Sequence, residues 1–144
     1  MKRKRIVLLI LIVLWTITVF YLSNQGSDGS SQTNYKFTSL FIKDERIVEI
    51  VEPYVRKIAH FCEYAYGGCL FALLFCTYDW TEKRIILLSI GIGIWYAALD
   101  EVHQYMVPGR TGRIVDIYLD TLGVATGVIL IMIIKKIINK RKMW

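Results

Sequence analysis

KRKRIVLLILIVLWTITVFYL, residues 2–22, is the stretch from which the fold class follows. Four basic residues lead into seventeen uncharged ones at 6–22, without proline or glycine. At helical rise that run reaches about 26 Å, close to the thickness of a bilayer's hydrocarbon core. The start resembles a secretory signal, but the apolar run is long for one. Tyr21-Leu22-Ser23-Asn24-Gln25 follows it where a small-residue cleavage site would stand, and no cysteine is placed there for lipid attachment. The segment reads as a retained membrane anchor.

The whole composition agrees. Apolar residues make up 55% of the 144 and charged residues only 21%, with a mean hydropathy of +0.43. These values exclude an ordinary water-soluble globule, and they exclude disorder because there is ample surface to bury. Three further spans follow, each with acids at one end. Residues 59–78 carry His60 and Glu63 in the first turn, 85–99 run straight into Asp100 and Glu101, and 117–134 contain Asp120. Between the first two spans, 23–34 is rich in Ser, Gly, Asn and Gln and reads as a mobile loop. Beyond it, Ile47, Ile50, Val51, Tyr54 and Ile58 alternate with Asp44, Glu45, Glu49 and Glu52, the pattern of an amphipathic helix lying on a membrane surface. Pro53 is expected to kink or restart the chain before the second span. The predicted fold is all-α integral membrane: one domain over 1–144, four transmembrane helices, and an outer-surface amphipathic segment between the first two.

Charge sets the expected orientation. With the N-terminus in the cytoplasm, eleven of the eighteen Lys and Arg fall inside and ten of the twelve acids fall outside or near the outer ends of the spans. Both termini are therefore expected in the cytoplasm of a multi-pass protein. The basic flanks would meet anionic lipid there. Nucleic acid is not expected as a partner, because the basic residues flank spans and no aromatic-basic patch accompanies them.

Helical spacing makes the polar residues converge. His60, Glu63 and Gly67 share one face of the second span, and Gly93, Ala97, Asp100 and Gln104 share one face of the third if it continues past Leu99. Asp116, Asp120, Gly123 and Gly127 share a face of the fourth, and the last two form a G-x-x-x-G that admits close backbone approach. Three helices packed through these stripes would aim their polar residues at one pocket open to the outer surface. Pro108-Gly109 reads as a turn, after which Arg110 and Arg113 offer forked cations suited to phosphate or carboxylate. An acid at bilayer depth costs roughly 2.5–3.5 kcal/mol, so ionisable groups there are site candidates by default.

The strings His60-Phe61-x-Glu63-Tyr64, Asp100-Glu101-x-His103-Gln104 and Pro108-Gly109-Arg110-x-Gly112-x-x-x-Asp116-x-x-x-Asp120-x-x-Gly123 resemble the VanZ-like family of small bacterial membrane proteins. Ser23-x-Gln25 also resembles that pattern, and the likeness covers roughly 15–127. Family members often have Asn where this chain has Asp120. The resemblance implies location in the bacterial cell membrane and reduced susceptibility to teicoplanin-type lipoglycopeptides, and it implies no settled reaction.

Two uses of the polar residues remain open. One is binding of, or action on, a cell-envelope lipid or lipid-linked cell-wall precursor, with Gln104, Arg110, Asp116 and Asp120 as ligand contacts. The other is a membrane-embedded, metal-assisted hydrolase of a lipid headgroup, with His60, Glu63, Asp100, Glu101 and His103 as ligands or acid–base groups. No cofactor is expected, although the ligand types admit a divalent metal; neither H-E-x-x-H nor H-x-x-x-H occurs. No G-x-S-x-G nucleophile motif is present. Transport is disfavoured, since the acids gather at one side instead of lining a route. Cys62, Cys69 and Cys76 recur every seven residues, about 10 Å apart on a helix, and read as packing residues, not a disulfide. Trp15, Trp80 and Trp95 are expected in the interfacial belt.

Overall fold

Continuous apolar sequence becomes continuous helix. The computed structural model describes residues 2–24, 27–109 and 113–141, giving only the backbone of 27–31 and 141. Five helices account for nearly all of these residues: α1 (Lys2–Ser23), α2 (Ser27–Ser39), α3 (Glu45–Phe75), α4 (Glu82–Met106) and α5 (Ile114–Arg141). No strand occurs among the described residues. All but α2 are long and apolar enough to cross a membrane, and the chain is a multi-pass membrane protein.

Their surfaces say the same. On α1, Ile12, Trp15, Val19 and Ser23 are buried on a single stripe, whereas Ile10, Val13 and Ile17 are 53%, 56% and 60% exposed. That much apolar surface left outward fits a bundle whose solvent is lipid.

Three expectations change. The Ser/Gly-rich stretch is not a loop from 27 onward but the helix α2, which lies along the first half of α3. Its polar composition is overridden by packing: Thr38 is 3% exposed and Val48 of α3 is 1% exposed. Pro53 does not restart the chain, because the amphipathic segment and the second span form one helix of 31 residues. The missing proline N–H costs a single bond in a helix secured at its start by the Asp44 side chain, which accepts from the Arg46 N–H at 3.0 Å. The apolar residues Ile47, Ile50, Tyr54 and Ile58 remain exposed along this first half. The third correction concerns Trp15, 4% exposed and therefore no belt residue. Trp95 does lie outward at 61%.

α3 packs on every other helix, and its most extensive contact is with α5. The cause is absence of side chains. A Cβ on Gly123 would stand 2.5 Å from the Phe61 carbonyl oxygen, and one on Gly127 would collide with the Ala65 carbonyl. From the other side, a Cβ on Gly68 would strike the Val124 backbone. The Cys69 thiol donates to the Gly127 carbonyl at 3.4 Å across the same seam. Cys76 is half-buried like Cys69, but Cys62 is exposed and does not pack as expected; all three are free thiols.

α3 and α5 run parallel while α1 and α4 run the other way, giving the bundle two chemically distinct ends. At one end Arg5 of α1 donates to the Thr77 hydroxyl at 3.0 Å and the Thr77 carbonyl at 2.7 Å, and its guanidinium lies 4.0 Å above the Tyr78 ring. Tyr78 stacks on Trp80 at 4.8 Å, and Arg84 covers the other ring at 4.4 Å. This basic, aromatic end ties the start of α1 to the α3–α4 connection. The opposite, polar end gathers the close of α1 and α4 with the start of α5.

The seam makes a direct prediction. Gly127→Val should destabilise the protein by at least about 2 kcal/mol in reversible unfolding from mixed micelles, as overpacking against rigid backbone does. Gly91→Ala, whose Cβ would meet nothing within 4 Å, should leave stability within about 0.5 kcal/mol of wild type.

Candidate functional site

Three helices each deliver one ligating side chain to the polar end. His60 projects from α3, Asp100 from α4 and Asp120 from α5, and one ligating atom from each lies within 4.8 Å of the other two. His60 Nδ1 is 4.0 Å from Asp120 Oδ1. Asp100 and Asp120 are 1% and 3% exposed. The helices converge here because of the small residues beneath: Ala97 and Gly93 are one and two turns below Asp100, and Gly123 and Gly127 lie below Asp120. Gly93 accepts the Val124 side chain where any Cβ would clash.

Further acids surround this centre. Asp120 lies within electrostatic reach of Asp100, Glu101, Asp116 and Glu63. Glu101 is buried on α4, Asp116 half-buried on α5, and Glu63 half-buried on α3. Among the described residues no lysine or arginine pairs with Asp100, Asp120 or Glu63; the ion pair present is His60 with Asp120. Buried charge of one sign without a matching cation is costly in an apolar surround.

Hydrogen bonding is correspondingly sparse. The Gln104 amide donates to Asp100 Oδ2 at 2.9 Å and reaches the Ser23 hydroxyl of α1 at 3.4 Å. Asp100 Oδ1, Asp120 Oδ1 and one oxygen of Glu63 are buried without a hydrogen-bond partner. Tyr64, fully buried on α3, faces Asp100 with a hydroxyl that makes no hydrogen bond of ordinary geometry.

The other candidates lie outside this three-residue group or outside the described residues. His103 turns toward α1, where its ring meets Phe20 edge-on at 5.5 Å and its Nε2 is buried without a partner. Glu101, about 100° around the helix from Asp100, is not one of the three but stays within electrostatic reach of Asp120. Arg110 lies outside the described residues, and Arg113 is exposed.

α1 supplies a wall that spacing on the other three spans did not suggest. Its Trp15 N–H donates to the Glu63 carbonyl at 3.0 Å, and its ring meets Tyr64 and Phe71 edge-on at 5.8 and 5.6 Å. Gly67 leaves the room for that ring. Beside it, a cleft of about 350 Å³ between α1 and α3 is lined by Leu11, Leu14, Trp15, Thr18, Glu63 and Tyr66. It is mainly apolar, with Glu63 as the one acid in its lining among the described residues. The signal for α1 was present in the 12–15–19–23 stripe, whereas Tyr64 carried no separate mark beside Glu63.

A family model described as VanZ/LLP1 matches residues 7–135, nearly the whole chain. No curated protein and no solved structure matches it significantly.

The Gln104–Asp100 bond joins the cluster to its support. Gln104→Leu should cost about 2 kcal/mol of stability, the usual loss when a charged acceptor is deprived of its donor. Gln104→Glu, which places another carboxylate beside Asp100, should cost more. Chemical unfolding of the purified variants at matched pH measures both.

Proposed function

This chain belongs to the VanZ/LLP1 family, and we propose that it binds or acts on a cell-envelope lipid or lipid-linked cell-wall precursor at the outer leaflet. The observation that carries this reading is the burial of Asp100, Glu101 and Asp120 at one end of a membrane bundle, with His60 and Glu63 beside them. A bundle needing only to hold itself together would have apolar residues there, since charges at bilayer depth oppose insertion.

The cleft between α1 and α3 supports a lipid as the ligand class. Its Leu11, Leu14 and Tyr66 walls suit an acyl or prenyl chain, and Glu63 stands where a headgroup would begin. Arg110 is the proposed anion contact for a phosphate on that headgroup. Gln104, Asp116 and Asp120 would orient its polar atoms.

Orientation follows from the basic residues. Lys2–Arg5, Lys83, Arg84, Lys135 and Lys136 all lie toward the end where Arg5 grips Thr77. By the positive-inside rule that end is cytoplasmic, with both termini, and meets anionic lipid. The acid cluster then faces the outer leaflet of a bacterial cell membrane. Lipoglycopeptides anchor a fatty tail in the same leaflet, which connects such a site to teicoplanin susceptibility.

Expression in a sensitive host at matched membrane levels tests the reading. Wild type should raise the teicoplanin inhibitory concentration without a comparable change for vancomycin. Asp100→Asn/Glu101→Gln and Arg110→Gln should each abolish the increase. Equal protection by the variants would assign these residues to scaffolding, and no protection by wild type would remove the resistance role.

A further inference from the structure

We infer that His60, Asp100 and Asp120 form a binding site for one divalent transition-metal ion, of the zinc or manganese class. The inference deepens the lipid-binding reading only in the ion's role toward a headgroup; the site itself stands on the following geometry.

Three ligating atoms from three rigid helices lie within 4.8 Å of one another. A metal–ligand distance near 2.1 Å gives neighbouring ligands of a tetrahedral site a separation of about 3.4 Å, reached here by side-chain rotation of about an ångström. One oxygen of Asp100 is oriented by Gln104 at 2.9 Å while its other oxygen is buried without a hydrogen bond. A hydrogen-bond donor behind a ligating carboxylate orients it in this way. Asp120 Oδ1 is likewise buried without a hydrogen bond.

An independent group points to the same place. The Tyr64 hydroxyl is not one of the three ligands, is fully buried, and lies against the Asp100 carboxylate without a hydrogen bond of ordinary geometry. Bound water on a metal would satisfy it. Among the described residues no lysine or arginine pairs with Asp100 or Asp120, and buried carboxylates in proteins are paired or coordinate metals.

One imidazole with two carboxylates selects among ions. Imidazole favours zinc and its transition-metal neighbours, and carboxylate oxygens suit manganese, whereas calcium takes six to eight oxygens. Three protein ligands leave coordination positions open, the arrangement of sites that engage water or substrate. Through them the ion would let an acidic pocket hold a phosphate-bearing headgroup. This assignment replaces the spacing-based ligand set, exchanging Glu63, Glu101 and His103 for Asp120.

The test uses the full-length protein in detergent, stripped with chelator and titrated separately with zinc, manganese and calcium. The expected result is about one equivalent of zinc or manganese, with calcium at least tenfold weaker. His60→Ala and Asp120→Asn should weaken the preferred ion at least tenfold, while Glu52→Gln, an acid of α3 outside the cluster, should leave it unchanged. Cobalt(II) gives a second readout: its visible d–d bands should report a histidine–carboxylate site in wild type and lose that form in His60→Ala protein that retains its helical circular dichroism. Failure of folded wild type to bind any of these ions overturns the inference, as does equal affinity in the His60 and Asp120 variants. Metal-free wild type that still protects against teicoplanin would overturn the ion's role toward the headgroup and leave the lipid reading intact. Metal binding without protection would do the reverse.

Discussion

Glycines 123 and 127 let the backbone of α5 lie directly against the Phe61 and Ala65 carbonyls of α3, and the polar end of the molecule is built from that contact. In lipid no hydrophobic force draws helices together, so close van der Waals packing has to supply the association. Small residues on both sides of the seam bring the two backbones near enough that His60 and Asp120, about one turn beyond it, stand 4.0 Å apart. α4 joins through Gly93, which receives Val124 of α5. Register between the helices and register between the charged side chains are therefore one property.

The energetic cost of the arrangement lies at its top. Asp100 and Asp120 are almost completely buried, Glu63 and Glu101 are near, and His60 stands 4.0 Å from Asp120. Each acid opposes insertion by roughly 2.5–3.5 kcal/mol. The seam below, the Trp15 aromatic cluster and the Arg5 clasp at the far end hold the bundle regardless. Stability supplied in one region and spent in another is the pattern expected where unpaired groups serve a ligand.

Much of this was legible from spacing. The stripes Gly93–Ala97–Asp100–Gln104 and Asp120–Gly123–Gly127 could be read because three- and four-residue steps return to one helix face, and they converge as that geometry requires. The same rule separates Glu101 from Asp100, although adjacency in sequence invites grouping them. Distance between elements was not legible: whether His60 or Glu63 meets Asp120 depends on how α3 and α5 rotate about their seam. Hydropathy placed Trp15 at an interface because indole prefers one, and only the gap at Gly67 on another helix buries it. α2 was lost to its composition, since serine and glycine lower helix propensity and its partner surface on α3 lies many residues away. Pro53 misled for a related reason: one lost hydrogen bond is small beside a long, capped helix.

The proposed role of the buried acids is to serve a ligand and not to hold the fold. Its most direct test is the stability of metal-free Asp100→Asn/Asp120→Asn protein, measured by reversible unfolding in mixed micelles beside wild type. Removing two mutually repelling buried charges while keeping their shape should leave the protein as stable as wild type or more so. A loss of more than about 2 kcal/mol, the scale of a broken buried polar network, would show that the acids hold the bundle together and contradict the account.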